Sequence, residues 1–161
     1  MNLQEQIRKI LKEETKQLDK PYVVFVSGIQ SVESHETQTK RFINNFGAKY
    51  PVKSFNFANQ KQISDFLKNN NVIALVLYSA GGQLANKFNF PPNRIYCIEP
   101  WNGNNSRAGL FTSIPANNMF INSKISARGK GTKEGNVILT NDFGNHFEAL
   151  SKSAAILSNR I

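Results

Sequence analysis

Two kinds of pattern alternate along this chain. Residues 3–18 carry Leu3, Ile7, Ile10, Leu11 and Leu18 on one stripe, with Glu, Lys and Gln elsewhere. That spacing predicts an amphipathic helix, which Asp19-Lys20-Pro21 would end. Two runs are instead apolar without interruption: YVVFV at 22–26 and VIALVLY at 72–78. Both are too short to cross a bilayer and rich in β-branched residues, so they read as strands buried on both faces. Residues 52–57 alternate like a strand. Between the strands the period lengthens to that of helices. Ser34 is placed to cap a helix over 35–46, with Phe42, Ile43 and Phe46 inward and Gly47 as its stop. Asn59 is placed to cap another, with Ile63, Phe66 and Leu67 inward. Strands alternating with helices in this way call for a parallel sheet with right-handed crossovers.

The second half continues the alternation. After Pro91-Pro92 breaks the chain, RIYCI at 94–98 reads as a fourth strand. Short strands are expected at 119–122 and 137–140. A closing helix over 147–157 would turn Phe147, Leu150, Ala154 and Leu157 to one face. The expected fold is therefore α/β: a three-layer, doubly wound, mostly parallel six-stranded sheet in the order 2-1-3-4-5-6. It would form one domain over 1–161, with a core at 22–158. The helix within 1–20 would pack on the sheet or on a partner. Two connections stand out. Residues 102–115 are rich in Gly, Asn and Ser and follow a strand, which suits substrate contact. Residues 124–135, KISARGKGTKEG, are basic and contain glycines.

Composition narrows the classes. A chain of 161 residues with 40% apolar content can bury a proper core and is not of disordered composition. No apolar run is long enough for a membrane span. The first twenty residues are charged throughout and lack the apolar centre of a signal peptide. The single cysteine, Cys97, lies in an apolar run and has no partner for an internal disulfide. The expected setting is a reducing one, the cytoplasm, with a virus particle or leaderless export as alternatives. The net charge of +9 suits an anionic partner, for which the stretch 124–133 is the candidate contact. No RNA- or DNA-binding motif accompanies it, and nothing in the pattern fixes an oligomeric state. Zinc spacing, an acidic calcium loop and a Walker-type phosphate loop are all lacking, so no metal and no cofactor are expected.

The candidate chemistry sits at the end of the third strand. VIALVLY stops at Ser79, and Ala80-Gly81-Gly82-Gln83-Leu84-Ala85 follows at once. A strand that ends on a serine and restarts as a helix needs a tight turn, and small residues let the helix begin without striking the strand. Tyr78-Ser79-Ala80-Gly81-Gly82 resembles the nucleophile elbow of the α/β-hydrolases, esterase and lipase relatives in particular. The pattern departs at Leu77, where the family has a small residue two before the serine. A bulky side chain there is expected to crowd the turn. The other reading is a serine at an ordinary strand-to-helix turn of a doubly wound sheet.

The resemblance, which covers roughly residues 22–158, implies roles for residues elsewhere. His146 lies between the last strand and the last helix, where the family places its general base. The acid would be Glu99, directly after the fourth strand, or Asp142, four residues before His146. Backbone N–H groups of Ala80 and of Ile29 or Gln30 would form the oxyanion hole, with Gly28 and Trp101 bordering the substrate. The implied activity is that of a serine hydrolase acting on an ester, thioester or amide, with a small or acyl substrate. Two alternatives stay open: a catalytically inactive, structural or interaction protein of the same fold, and a flavodoxin-like module holding a ligand at the same strand ends.

Overall fold

The two unbroken apolar runs lie side by side at the centre of a parallel sheet. The computed structural model describes residues 1–18, 20–30, 33–100, 118–122, 136–140 and 142–161. The strands are β1 (Tyr22–Ser27), β2 (Val52–Asn56), β3 (Val72–Tyr78) and β4 (Ile95–Ile98), in the order β2-β1-β3-β4 and all parallel. The fold is α/β, with this sheet flanked by helices. Beyond β4 the backbone pairing continues in parallel through two short segments, β5 (Asn118–Asn122) and β6 (Asn136–Thr140). The helices are α1 (Leu3–Leu18), α2 (His35–Phe46), α3 (Gln60–Asn69) and α4 (His146–Arg160). Two 3₁₀ segments, Ser79–Leu84 and Pro92–Arg94, flank the stretch between β3 and β4.

Alternation along β1 and β3 sorts the core into two layers. Val23, Phe25, Ala74, Val76 and Tyr78 face α2 and α4, where Phe42, Phe46, Leu150, Ala154 and Leu157 are buried against them. Phe25, Phe42 and Phe46 stack in series, with ring centroids 4.6 and 5.2 Å apart. Val24, Val26, Leu75 and Leu77 face the other way, toward Ile63, Leu84 and Ala85. Burial on both faces is why these strands carry no polar position until their last residues.

Several local expectations are corrected. The stripe on α1 does not pack on the sheet: Leu3, Ile7, Ile10 and Leu11 are 70, 46, 54 and 55% exposed. Ile43 turns outward, and the inward position on α2 is Gln38, one turn before Phe42. Asn59 stands at the N-cap of α3 without a side-chain capping bond. Arg94 belongs to a 3₁₀ turn and not to β4. The segment after Ser79 winds as 3₁₀ and not as the α-helix the elbow pattern suggested, which fits the poor α-propensity of Gly81 and Gly82. His146 opens α4 instead of lying in the loop before it. The connections 102–115 and 124–135 lie outside the described residues. No helix among the described residues is long and apolar enough to cross a membrane.

Cys97 sits in the second core layer, fully buried, and desolvation pushes its thiol up to about 12. Below about pH 9 the thiol is protonated in both folded and unfolded chains. Above it the unfolded chain ionises first, so this contribution to stability falls as pH rises toward the folded-state value. Urea unfolding at pH 9 and 10 should show the wild type losing up to about 1.4 kcal/mol more than Cys97→Ala. Parallel pH curves for the two proteins would show that the thiol is solvated.

Candidate active site

Two neighbouring strands end alike. Tyr78 pairs with Ile98 in the last registered position of β3 and β4, so Ser79 and Glu99 leave the sheet side by side. One strand spacing, about 4.8 Å, separates their backbones. Both adopt left-handed conformations, with φ of 53° at Ser79 and 44° at Glu99. Among the described residues they are the only non-glycine positions to do so. Each such residue costs about 1–2 kcal/mol, and persists where surrounding packing enforces it. Both side chains are also buried, with Ser79 8% and Glu99 1% exposed. The Glu99 N–H still donates to the Phe120 carbonyl at 2.9 Å, so the β4 ladder holds the turn on its far side.

His146 reaches this edge from above. Asn145 caps α4, its side-chain oxygen accepting from the N–H groups of Phe147 and Glu148, and this fixes where the helix starts. The first residue of the helix then lies over the end of β3. His146 Nε2 is 3.0 Å from Ser79 Oγ. Tyr78 holds the histidine in two ways. Its hydroxyl donates to the His146 carbonyl at 2.9 Å, and its ring stacks on the imidazole with centroids 4.9 Å apart. Phe147 meets the imidazole edge-on, with ring centroids 5.9 Å apart. The second ring nitrogen, Nδ1, is a buried atom, as is Oε1 of Glu99.

The turn after β1 closes the third side. An added Cβ on Gly28 would lie 2.7 Å from Ser79 Cβ and 3.3 Å from the Ala80 nitrogen. Only glycine fits that approach. Gln38 holds the turn from inside α2. It accepts from the Gly28 N–H at 2.8 Å and donates to the carbonyls of Ile29 and Glu33 at 3.2 and 3.0 Å. The Gly28 N–H is therefore occupied, while the backbone of Ile29 and Gln30 continues past it. The Ala80 N–H lies in the first turn of the 3₁₀ segment, where no carbonyl of that helix faces it. Leu77 does not block the arrangement. It is fully buried in the layer that also contains Leu84 and Ala85.

Of the sequence-derived residues, the structure brings Ser79, His146, Gly28 and Ala80 together, with Glu99 beside them at the next strand end. Asp142 is exposed, and its backbone carbonyl accepts from Lys152 Nζ. Trp101 and the basic stretch 124–133 lie outside the described residues. His35 makes a pair of its own: Nδ1 is 2.7 Å from Oγ of Ser27, the buried last residue of β1. Arg41 binds Glu33, whose hydrogen bond raises the guanidinium pKa further, and its charge lies 5.9 Å from the Phe147 ring centroid.

Sequence reasoning missed Tyr78 and Gln38. Gln38 was visible in principle, since it falls four and eight residues before Phe42 and Phe46 on the inward stripe. Tyr78 gave no such signal, because an apolar strand end accommodates tyrosine without any polar partner. No protein-family model, no curated protein and no solved structure matches the chain.

The close approach at Gly28 generates a direct test. Gly28→Ala should cost about 1–3 kcal/mol in urea unfolding, the usual range for overpacking. It should also shift the imidazole resonances of His146 as Ser79 is pushed from its place. A variant with wild-type stability and unmoved resonances would show that the two turns are not in contact.

Proposed function

We propose that this chain is a serine hydrolase acting on an ester, thioester or amide, with Ser79 as nucleophile, His146 as general base and Glu99 as the acid. The observation that carries the reading is the 3.0 Å approach of His146 Nε2 to Ser79 Oγ at a left-handed strand end. Ser79 is a weak nucleophile by itself. As its oxygen bonds to the acyl carbon, Nε2 takes the proton and delivers it to the leaving alcohol, thiol or amine. Water then repeats the attack, with the same nitrogen as base, and restores Ser79. The tetrahedral oxyanion is held by the backbone N–H of Ala80 with that of Ile29 or Gln30.

Glu99 is favoured over Asp142 by position. It is buried beside Ser79 at the adjacent strand end, whereas Asp142 is exposed. A buried carboxylate facing an imidazole would fix the tautomer and stabilise the imidazolium. The backbone continuation through β5 and β6 supports reading the whole sheet as six-stranded, doubly wound and hydrolase-like. A second reading, a catalytically inactive protein of the same fold, is favoured by one feature: Ser79 opens a six-residue 3₁₀ segment, a weaker electrostatic partner for an oxyanion than a long α-helix.

Labelling by a fluorophosphonate probe tests the reading. Wild type should label and Ser79→Ala should not, while His146→Gln should slow labelling by about 10²–10⁴-fold. Equal labelling of wild type and Ser79→Ala, or none of a folded wild type, would leave the inactive protein as the better account.

The acid is tested separately, on hydrolysis of an aryl acetate. Glu99→Gln should lower kcat by about 10²–10⁴-fold with little change in KM, and Asp142→Asn should leave both near wild type. The reverse pattern would transfer the role to Asp142.

A further inference from the structure

Beside the Ser79 site, on the β2 side of the sheet edge, lies a pocket of about 420 Å³. That falls within the roughly 300–1,000 Å³ typical of small-ligand sites. Its place follows from the register. Ser27 pairs with Asn56, and Val26 pairs with Leu77, which sets Ser27 beside Tyr78. Asn56 is thus two strands, roughly 10 Å, from the strand that bears Ser79. Gln30 lines the pocket and also belongs to the turn that passes Ser79, so the two spaces adjoin through one loop.

Apart from Glu36 and Phe55, the lining is uncharged and hydrogen-bonding. His35 is held by Ser27 through Nδ1, and its Nε2 stands 3.5 Å from Ser54 Oγ. Asn56 uses its side-chain oxygen to accept from the Ala58 N–H, which leaves its amide nitrogen as a donor. Gln30 and Asn59 have no side-chain hydrogen-bond partner among the described residues. Gln30, His35, Ser54, Asn56 and Asn59 therefore offer donors and acceptors in one concave space. Among the described residues no cation lines it, and the single charge is the carboxylate of Glu36. An anionic ligand would meet that carboxylate with no cation to offset it, and an acyl chain would strand several polar groups. An uncharged, polyhydroxylated group satisfies them.

We infer that this pocket binds an uncharged sugar residue, which, on the hydrolase reading above, is the alcohol portion of a carbohydrate ester cleaved at Ser79. The substrate would then lie across the sheet edge, its sugar over β2 and its acyl carbon at β3. Ser54 and Asn59 set the specificity and take no part in the chemistry.

The pocket can be tested without catalysis. Saturation-transfer NMR on Ser79→Ala protein, with methyl glucoside, hexanoate and inorganic phosphate as probes, should show the glycoside bound and the other two not. Ser54→Ala combined with Asn59→Ala should weaken glycoside binding about ten-fold or more, from the loss of two neutral hydrogen bonds. Both substitutions are small and leave α2 and its cap intact, and a thermal unfolding curve checks that the variant is folded. In Ser79-bearing protein the same pair should lower kcat/KM for an acetylated monosaccharide more than for an aryl acetate. No glycoside binding, binding unaffected by the double variant, or preferential binding of phosphate or hexanoate would each overturn the inference. Glycoside binding in a protein whose Ser79 never labels would instead support the pocket and remove the hydrolase reading.

Discussion

Burial of a parallel sheet on both faces leaves the chain little freedom about where its polar groups go. Along β1 and β3 every interior position is apolar, and polar groups gather at the carboxyl ends, at Ser27 of β1 and at Tyr78 and Ser79 of β3. The strand order adds direction to this. From β1 the chain moves outward to β2, and from β3 it moves the other way to β4. Loops therefore part above the β1–β3 boundary and open a crevice there. Gly28 and Ser79 meet in that crevice, and helix α4 is packed so that His146 lies over it.

The site depends on packing at a distance. His146 is placed by the start of α4, and α4 is placed by the apolar layer it shares with α2, through Leu150, Ala154 and Leu157 against Phe42 and Phe46. The same α2 carries Gln38, which fixes the turn at Gly28. One helix face thus sets both His146 and the loop opposite it. A cavity made under α2 would disturb the Ser79–His146 geometry without touching either residue.

Much of the fold was legible because period and length agree in this sequence. The runs at 22–26 and 72–78 have no reading other than buried strands, and Ser34 and Gly47 bracket α2 with residues whose chemistry suits each end. The pairing of Ser79 with His146 was legible only through resemblance, since 67 positions separate them and no periodicity links the two. Three features stayed hidden for physical reasons. The left-handed turn at Glu99 is enforced by neighbouring strands and not by the residue, which has no preference for that conformation. The 3₁₀ form after Ser79 reflects local glycine content competing with an otherwise helical pattern. The Ser27–His35 contact depends on how far the β1 turn folds back, which loop composition does not state.

Helix α1 stands apart from all of this. It carries its own start, with Asn2 and Glu5 exchanging side-chain to backbone hydrogen bonds at 2.9 and 3.1 Å, and all residues of its first three turns are exposed. A helix of sixteen residues is near the limit of what water tolerates without tertiary support. The amides of its exposed turns should therefore exchange with solvent by local fraying while the sheet remains closed. A single unfolding transition seen by helix-sensitive spectroscopy would sum two events, and the earlier one would report on α1 alone.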